Sequence, residues 1–296
     1  MSSLHFESID VVLGDHEDQH RIQSERILHE WGCQNVQIAN DAMAVEDIIA
    51  SGEIDLLIAD MALPNGDLNT LIQQVRNGIL GPNPFLTTIT LISEPNETIV
   101  KQCMNSGADI VILKPFSTSQ FMNHLTMAVE HSRQFVSTAD YTGPFRREPK
   151  RTGAYDIPKI NIPNQLQEKL ENRFDPDKMK TQNIKTMDLI NNQKMVHISH
   201  KIIWLIGKIS QFYLEAPPDE KVIRYVEELF KITVDMNRRL KVMKNDRARE
   251  LCSALKTVAE NLQGKPLSPD HDDLEELSKL AYKCKSVSDW LSNSSS

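Results

Sequence analysis

Carboxylates at the ends of apolar runs can hold a divalent cation or attack phosphorus, and this chain of 296 residues carries two of them. Asp60 closes the run IDLLIAD, and Asp15 stands one residue beyond Ile9–Gly14 (IDVVLG). Ser93 closes TITLIS and Lys114 closes DIVILK. Two carboxylates suit Mg2+, an ion that takes oxygen ligands and keeps several waters. A carboxylate beside a lysine and a hydroxyl also suits phosphoryl transfer. The carboxylate attacks phosphorus while ammonium and hydroxyl steady the phosphoryl oxygens.

That chemistry requires the four residues to meet, so the elements that carry them matter. Ile9–Gly14, Asn35–Ala39, Ile54–Ala59, Leu86–Ile92 and Asp109–Leu113 are short and rich in β-branched residues. Runs of this kind read as strands covered on both faces. Amphipathic stretches at 18–30, 41–50, 67–77, 96–106 and 117–131 alternate with them, and Asp41, Asp67 and Ser117 stand as capping residues. Five βα units in series predict a doubly wound parallel sheet, whose ligands bind outside the carboxyl ends of the strands. Asp15, Asp60, Ser93 and Lys114 all fall at that edge.

Three motifs then agree in order and spacing. Asp60-Met-Ala-Leu-Pro64-Asn-Gly-Asp67, Gly107-Ala108-Asp109 and Lys114-Pro115-Phe116 resemble segments of the receiver domain of two-component response regulators, over about residues 8–131. The resemblance implies a flavodoxin-like α/β fold with strand order 2-1-3-4-5 and a cis peptide before Pro115. It implies that Asp60 accepts a phosphoryl group from a histidine kinase or phosphotransfer protein. Asp15, Asp60 and the backbone carbonyl of Ala62 would hold Mg2+, and Ser93 and Lys114 would bind the phosphoryl oxygens.

Two departures bear on that expectation. Family members carry two adjacent acids after the first strand, where this chain reads Gly14-Asp15-His16. The HEDQ stretch resembles members with Asp-Asp-His, which makes Asp15 the second acid, the direct metal ligand, with Gly14 replacing the first. Counting from Arg21 instead makes Asp15 the first acid and puts His16 in place of the second. We take the first count, on which Mg2+ is held more weakly but not lost. The second departure is Val111, which stands where the family has an aromatic. A pseudo-receiver, with the fold but not the phosphate chemistry, is the rival reading.

The rest of the chain differs in kind. Residues 132–180, rich in Pro, Gly and basic residues, read as a linker. Residues 181–296 read as an all-helical bundle that interacts with an output protein. Met195, Ile198, Ile202, Leu205, Ile209 and Phe212 form a seam at spacings of three and four, which a second copy could bury in a homodimer. His200 lies outside that seam and faintly resembles the phosphorylated histidine of sensor kinases, which raises a phosphorelay intermediate as an alternative. The basic cluster from Arg238 to Arg249 reads as a solvated face, with a nucleic-acid-binding regulator as the other reading.

Charge and composition narrow the classes. The net charge of −8 divides unevenly: residues 1–130 hold 5 basic against 18 acidic side chains, and the remainder 28 against 23. An acidic first part repels phosphates, so nucleic acid is not expected there. Apolar runs are too short to span a bilayer, and the start lacks a secretory pattern. Cys33, Cys103, Cys252 and Cys284 lie far apart, as thiols in a reducing cytoplasm. Enzymatic turnover is not expected beyond the receiver's own phosphorylation chemistry.

Overall fold

Apolar runs alternating with capped helices give the architecture its first half. The computed structural model describes residues 4–94, 96–130, 134–146, 157–215, 220–240 and 246–294. The strands are β1 (Asp10–Gly14), β2 (Asn35–Ala39), β3 (Leu56–Asp60), β4 (Thr87–Ile92) and β5 (Ile110–Leu113). They alternate with α1 (Asp18–Glu30), α2 (Ala42–Ser51), α3 (Leu68–Arg76), α4 (Glu97–Ser106) and α5 (Thr118–Glu130). All five strands run parallel in the order β2-β1-β3-β4-β5, the expected 2-1-3-4-5. Val11, Leu13, Leu56, Ile58, Ile89 and Leu91 feed one core. Val12, Leu57 and Ala59 feed a second core, with residues of α2 and α3, as alternation along buried strands requires. Asp41 and Asp67 cap as expected: Asp41 accepts from the Ala44 N–H at 2.8 Å, and Asp67 from those of Asn69 and Thr70 at 3.2 Å.

The chain comprises two compact units. One comprises Met1–Ser137 with Tyr141–Ile190, and the other Thr138–Asp140 with Asn191–Ser296. The division falls inside the long helix α7 (Pro176–Glu215).

Within the first unit, residues expected to be linker are folded. β6 (Gln134–Ser137), β7 (Thr142–Pro144) and β8 (Ile160–Asn161) make a small antiparallel sheet in the order β7-β6-β8, and α6 (Gln165–Leu170) follows. Phe135 and Ile162 are buried with Phe85 and Ile190, while Leu166 and Leu170 complete the core under α5. These apolar residues are isolated in sequence, too few per element to set up a periodicity.

The extension is fastened at the amino ends of the strands, away from Asp60. The buried Arg76 guanidinium donates to the carbonyls of Gly107, Pro84 and Leu86, to Thr88 Oγ1, and to Asp109 Oδ2 at 2.8 Å. Phe135 lies 5.2 Å from it. Gly107 has φ 93, and a Cβ there would meet the Thr142 carbonyl at 2.7 Å, so glycine is required twice over. Lys169 pairs with Asp10 at 3.1 Å and Asp55 at 2.8 Å.

The second unit contains the later part of α7, then α8 (Glu220–Leu240), α9 (Asp246–Gly264) and α10 (His271–Ser294). Here one expectation is overturned. Met195, Ile198, Ile202, Leu205 and Ile209 are buried, but against Val222, Val226, Leu229, Leu255, Leu262 and Leu280 of this same chain. Phe212 packs beside them, partly buried. The seam is satisfied by α8, α9 and α10, which among the described residues leaves no apolar stripe along it for a second copy. Pro217 and Pro218, between α7 and α8 in the sequence, lie outside the described residues.

Lys194 is buried in this unit, and its ammonium is pushed down from the ordinary 10.5 to about 8. Burial is the main cause, Arg239 adds to it, and Asp235 opposes. Folding therefore releases a proton between about pH 8 and 10.5, and stability rises with pH across that window. Measured against Lys194→Met by urea unfolding, the wild type should gain up to about 3 kcal/mol across that range. An unchanged difference between the two proteins would show that Lys194 titrates normally.

Candidate functional site

Parallel register brings the chemistry-bearing residues to one edge. Gly14 pairs with Ala59, so the next residues, Asp15 and Asp60, end level on neighbouring strands. The Asp15 N–H donates to the Ala39 carbonyl at 3.1 Å, and the Lys114 N–H to the Ile92 carbonyl at 2.8 Å, so pairing holds through the last residue. Asp15, Asp60 and Lys114 are 0%, 1% and 5% exposed.

The Lys114 ammonium sits between the two carboxylates. It donates to Asp15 Oδ2 at 3.0 Å and pairs closely with Asp60 Oδ2. The remaining oxygens are held by backbone: Asp15 Oδ1 accepts from the Glu17 N–H at 2.9 Å, and Asp60 Oδ1 from the Ala62 N–H at 2.7 Å. Burial acts to lower the Lys114 pKa, but hydrogen bonds to Asp60 and Asp15 more than offset it and hold it above the ordinary lysine value. The Lys114–Pro115 peptide is cis.

Ser93 directly follows β4 at the same edge and is exposed. His20, missed in the sequence, joins the site from the first turns of α1. Its Nδ1 lies 3.2 Å from Lys114 Nζ and 3.3 Å from Glu17 Oε2. Its place one helical turn past Glu17 was the only signal available. Val111 is half-buried in β5.

The place of the missing acid can now be read. A Cβ on Gly14 would meet Leu63 Cδ1 at 3.0 Å, Val45 Cγ2 at 3.1 Å and the Ala59 Cβ at 3.2 Å, so this position faces the apolar core. Asp15, level with Asp60 and tied to the same lysine, is the carboxylate at this edge, and His16, the next residue, is exposed. The count from Arg21 is therefore the one the register supports, against the count we favoured. Asp15 and Asp60 offer oxygen donors of the kind Mg2+ takes, while imidazole suits that hard ion poorly. No group of three or more His, Cys, Asp or Glu side chains able to hold a metal occurs among the described residues.

Residues 11–126 match the sequence model of the response regulator receiver domain. This segment is a receiver domain. The receiver is 27% identical over 125 residues to the sensor histidine kinase RcsC of Escherichia coli (strain K12), covering 42% of this chain and 12% of RcsC. Salmonella typhi RcsC is 26% identical over the same length and shares. The chain thus spans about 12% of the length of these curated relatives. Among solved structures, a signal receiver domain of an HD domain-containing protein from Pseudomonas fluorescens Pf-5 shares 24% identity. It covers 42% of this chain and 95% of its own, with a TM-score of 0.38. The chemotaxis response regulator CheY4 of Vibrio cholerae shares 19%, covering 40% and 96%, with a TM-score of 0.36.

Outside the receiver, His200 is exposed on α7 in the other unit, and Lys201 beside it pairs with Asp140 and Glu228 at 2.5 Å each. The basic cluster is not one solvated face. Arg239 is buried, and both it and Arg238 pair with Asp235. Residues 241–245 of the cluster lie outside the described residues. No described helix is long and apolar enough to cross a membrane.

Register and donor chemistry give a direct expectation. In a Mg2+ titration by calorimetry, His16→Asp should bind the ion more tightly than wild type. Gly14→Asp should bring no gain and cost about 2 kcal/mol or more of stability, since it buries a charge among Leu63, Val45 and Ala59. Tightening by Gly14→Asp alone would refute the register argument.

Proposed function

We propose that the receiver accepts a phosphoryl group on Asp60, delivered by a histidine kinase or phosphotransfer protein, and that the helical unit passes the signal to a protein partner. The carrying observation is the buried contact of Lys114 with Asp15 and Asp60 at the ends of β5, β1 and β3. In the transfer, an Asp60 carboxylate oxygen attacks phosphorus, the bond from phosphorus to the donor breaks, and the donor leaves with that electron pair. Lys114 moves from carboxylate to phosphoryl oxygen, and the Ala62 N–H stays directed at the same side of Asp60. Ser93, exposed directly after β4, would supply a hydroxyl to another phosphoryl oxygen. Asp15, Asp60 and the Ala62 carbonyl would hold Mg2+, which when bound neutralises charge on the phosphoryl oxygens.

A second reading has its own observation. His16 stands at the position of the second acid, and with only two carboxylates the pocket attracts a divalent cation less. A pseudo-receiver that presents the fold without accepting phosphate follows if that loss is decisive.

Intact-mass measurement after incubation with acetyl phosphate and Mg2+ separates the readings. One added phosphoryl group on the wild type, absent from Asp60→Asn, is the expected result. No added mass on the wild type, with addition restored in His16→Asp, would place the chain with pseudo-receivers.

A further inference from the structure

Lys114 has a third partner besides the two carboxylates. Asp15 Oδ2 and Asp60 Oδ2 pair with its ammonium, and His20 Nδ1 of α1 stands 3.2 Å from the same nitrogen. An ammonium only donates hydrogens, so that contact requires a bare Nδ1 with the ring hydrogen on Nε2. The same Nδ1 lies 3.3 Å from Glu17 Oε2, and an ionised carboxylate only accepts. One nitrogen cannot serve both neighbours at once. Bare, it takes a hydrogen from Lys114. Protonated, it donates to Glu17 and sets a second positive charge against the ammonium.

Among the described residues, no other charge pairs with the ring. Arg21, next on α1, is taken up by Asp18, Asn40 and the Asp15 carbonyl. His16, in the loop before α1, is exposed. α5, which shares a core with α1, carries His124, and no described hydrogen bond or ion pair joins it to His20. His20 is itself half-buried, so water reaches the ring.

Phosphate on Asp60 shifts this balance in one direction. The Asp60 carboxylate gives up its charge to become an acyl phosphate, and the phosphoryl oxygens carry charge further out. Lys114 turns toward those oxygens, and its hydrogen leaves Nδ1. The bare nitrogen is then left beside Glu17. We propose, on the reading of Asp60 as the phosphoryl acceptor, that His20 is a positioning residue for Lys114 and takes up a proton when Asp60 is phosphorylated. An Asp60 oxygen–phosphorus bond forms, the donor leaves with the electron pair of the bond that breaks, and the Nδ1 lone pair binds a proton from water. Lower pH then favours the phosphorylated state across about pH 5–8, where imidazole titrates.

Long-range 1H–15N NMR on the histidine rings of the full chain tests this, with His20 assigned from its absence in His20→Gln. At about pH 8 the free protein should show His20 with its hydrogen on Nε2. Lys114→Met, folded by circular dichroism, should move the His20 titration up by at least about half a pH unit, because a cation leaves its side. Beryllofluoride with Mg2+, an analogue of the phosphoryl group, should move it up likewise. Beryllofluoride affinity should also gain at least about threefold from about pH 8 to about pH 6 relative to His20→Gln, whose amide accepts from Lys114 but takes no proton. A hydrogen on Nδ1 in the free protein overturns the proposal, as does a titration that Lys114→Met or bound beryllofluoride leaves in place. Equal pH dependence in wild type and His20→Gln overturns it too. If the wild type binds no beryllofluoride and gains no mass from acetyl phosphate, the reading of Asp60 fails and the proton uptake with it, while the ring tautomer still decides the contact with Lys114.

Discussion

One ammonium group sets the condition on which the receiver edge exists. Asp15 and Asp60 end level on adjacent strands and are both withdrawn from water, an arrangement that like charges resist. Lys114 removes the difficulty by standing between them, and the backbone N–H groups of Glu17 and Ala62 take the oxygens it does not reach. The same contact couples three strands, because its members close β1, β3 and β5. Any event that draws Lys114 toward a new anion therefore changes the balance at both carboxylates together. That coupling follows from strand register rather than from flexible loops.

The opposite edge is organised by a second buried cation. Arg76 satisfies three carbonyls, a hydroxyl and the Asp109 carboxylate, and Phe135 of the extension covers it. Without that cover its guanidinium would face solvent, and the loops that it gathers around Pro84 and Gly107 would lose their common anchor. The two ends of the sheet are thus treated differently. Arg76 has its donors engaged by fixed partners, which suits a structural staple. Lys114 holds partners that a ligand can replace, which suits a site.

What the sequence made legible follows the same distinction. Strand ends, capping aspartates and the motifs around Asp60, Gly107 and Lys114 report local geometry, and each has a periodic or positional signal of its own. The meeting of Asp15, Asp60 and Lys114 could be reached from them, while the sheet order was implied by the resemblance of those motifs to receiver domains. The choice between Gly14 and His16 could not, because it depends on which face of β1 meets Leu63 and Val45, a fact of tertiary packing. His20 was hidden for a related reason: only the rise of α1 over the strand ends brings its ring to Lys114.

The folded extension and the helical unit show where pattern reading gives out. Phe135, Ile162, Leu166 and Leu170 are scattered through a Pro- and Gly-rich stretch, and composition there argued for linker. Burial of single large side chains in a prepared surface needs no periodicity, so composition could not detect it. In the helical unit the periodicity of the 195–212 seam was real, but a seam states only that a stripe is buried, not by which chain. Its three partner helices lie downstream in the same sequence, and each carries a matching stripe in Val222–Leu240, Ala248–Leu262 and Leu277–Cys284. Four stripes that close one core account for the periodicity of the seam without a second chain.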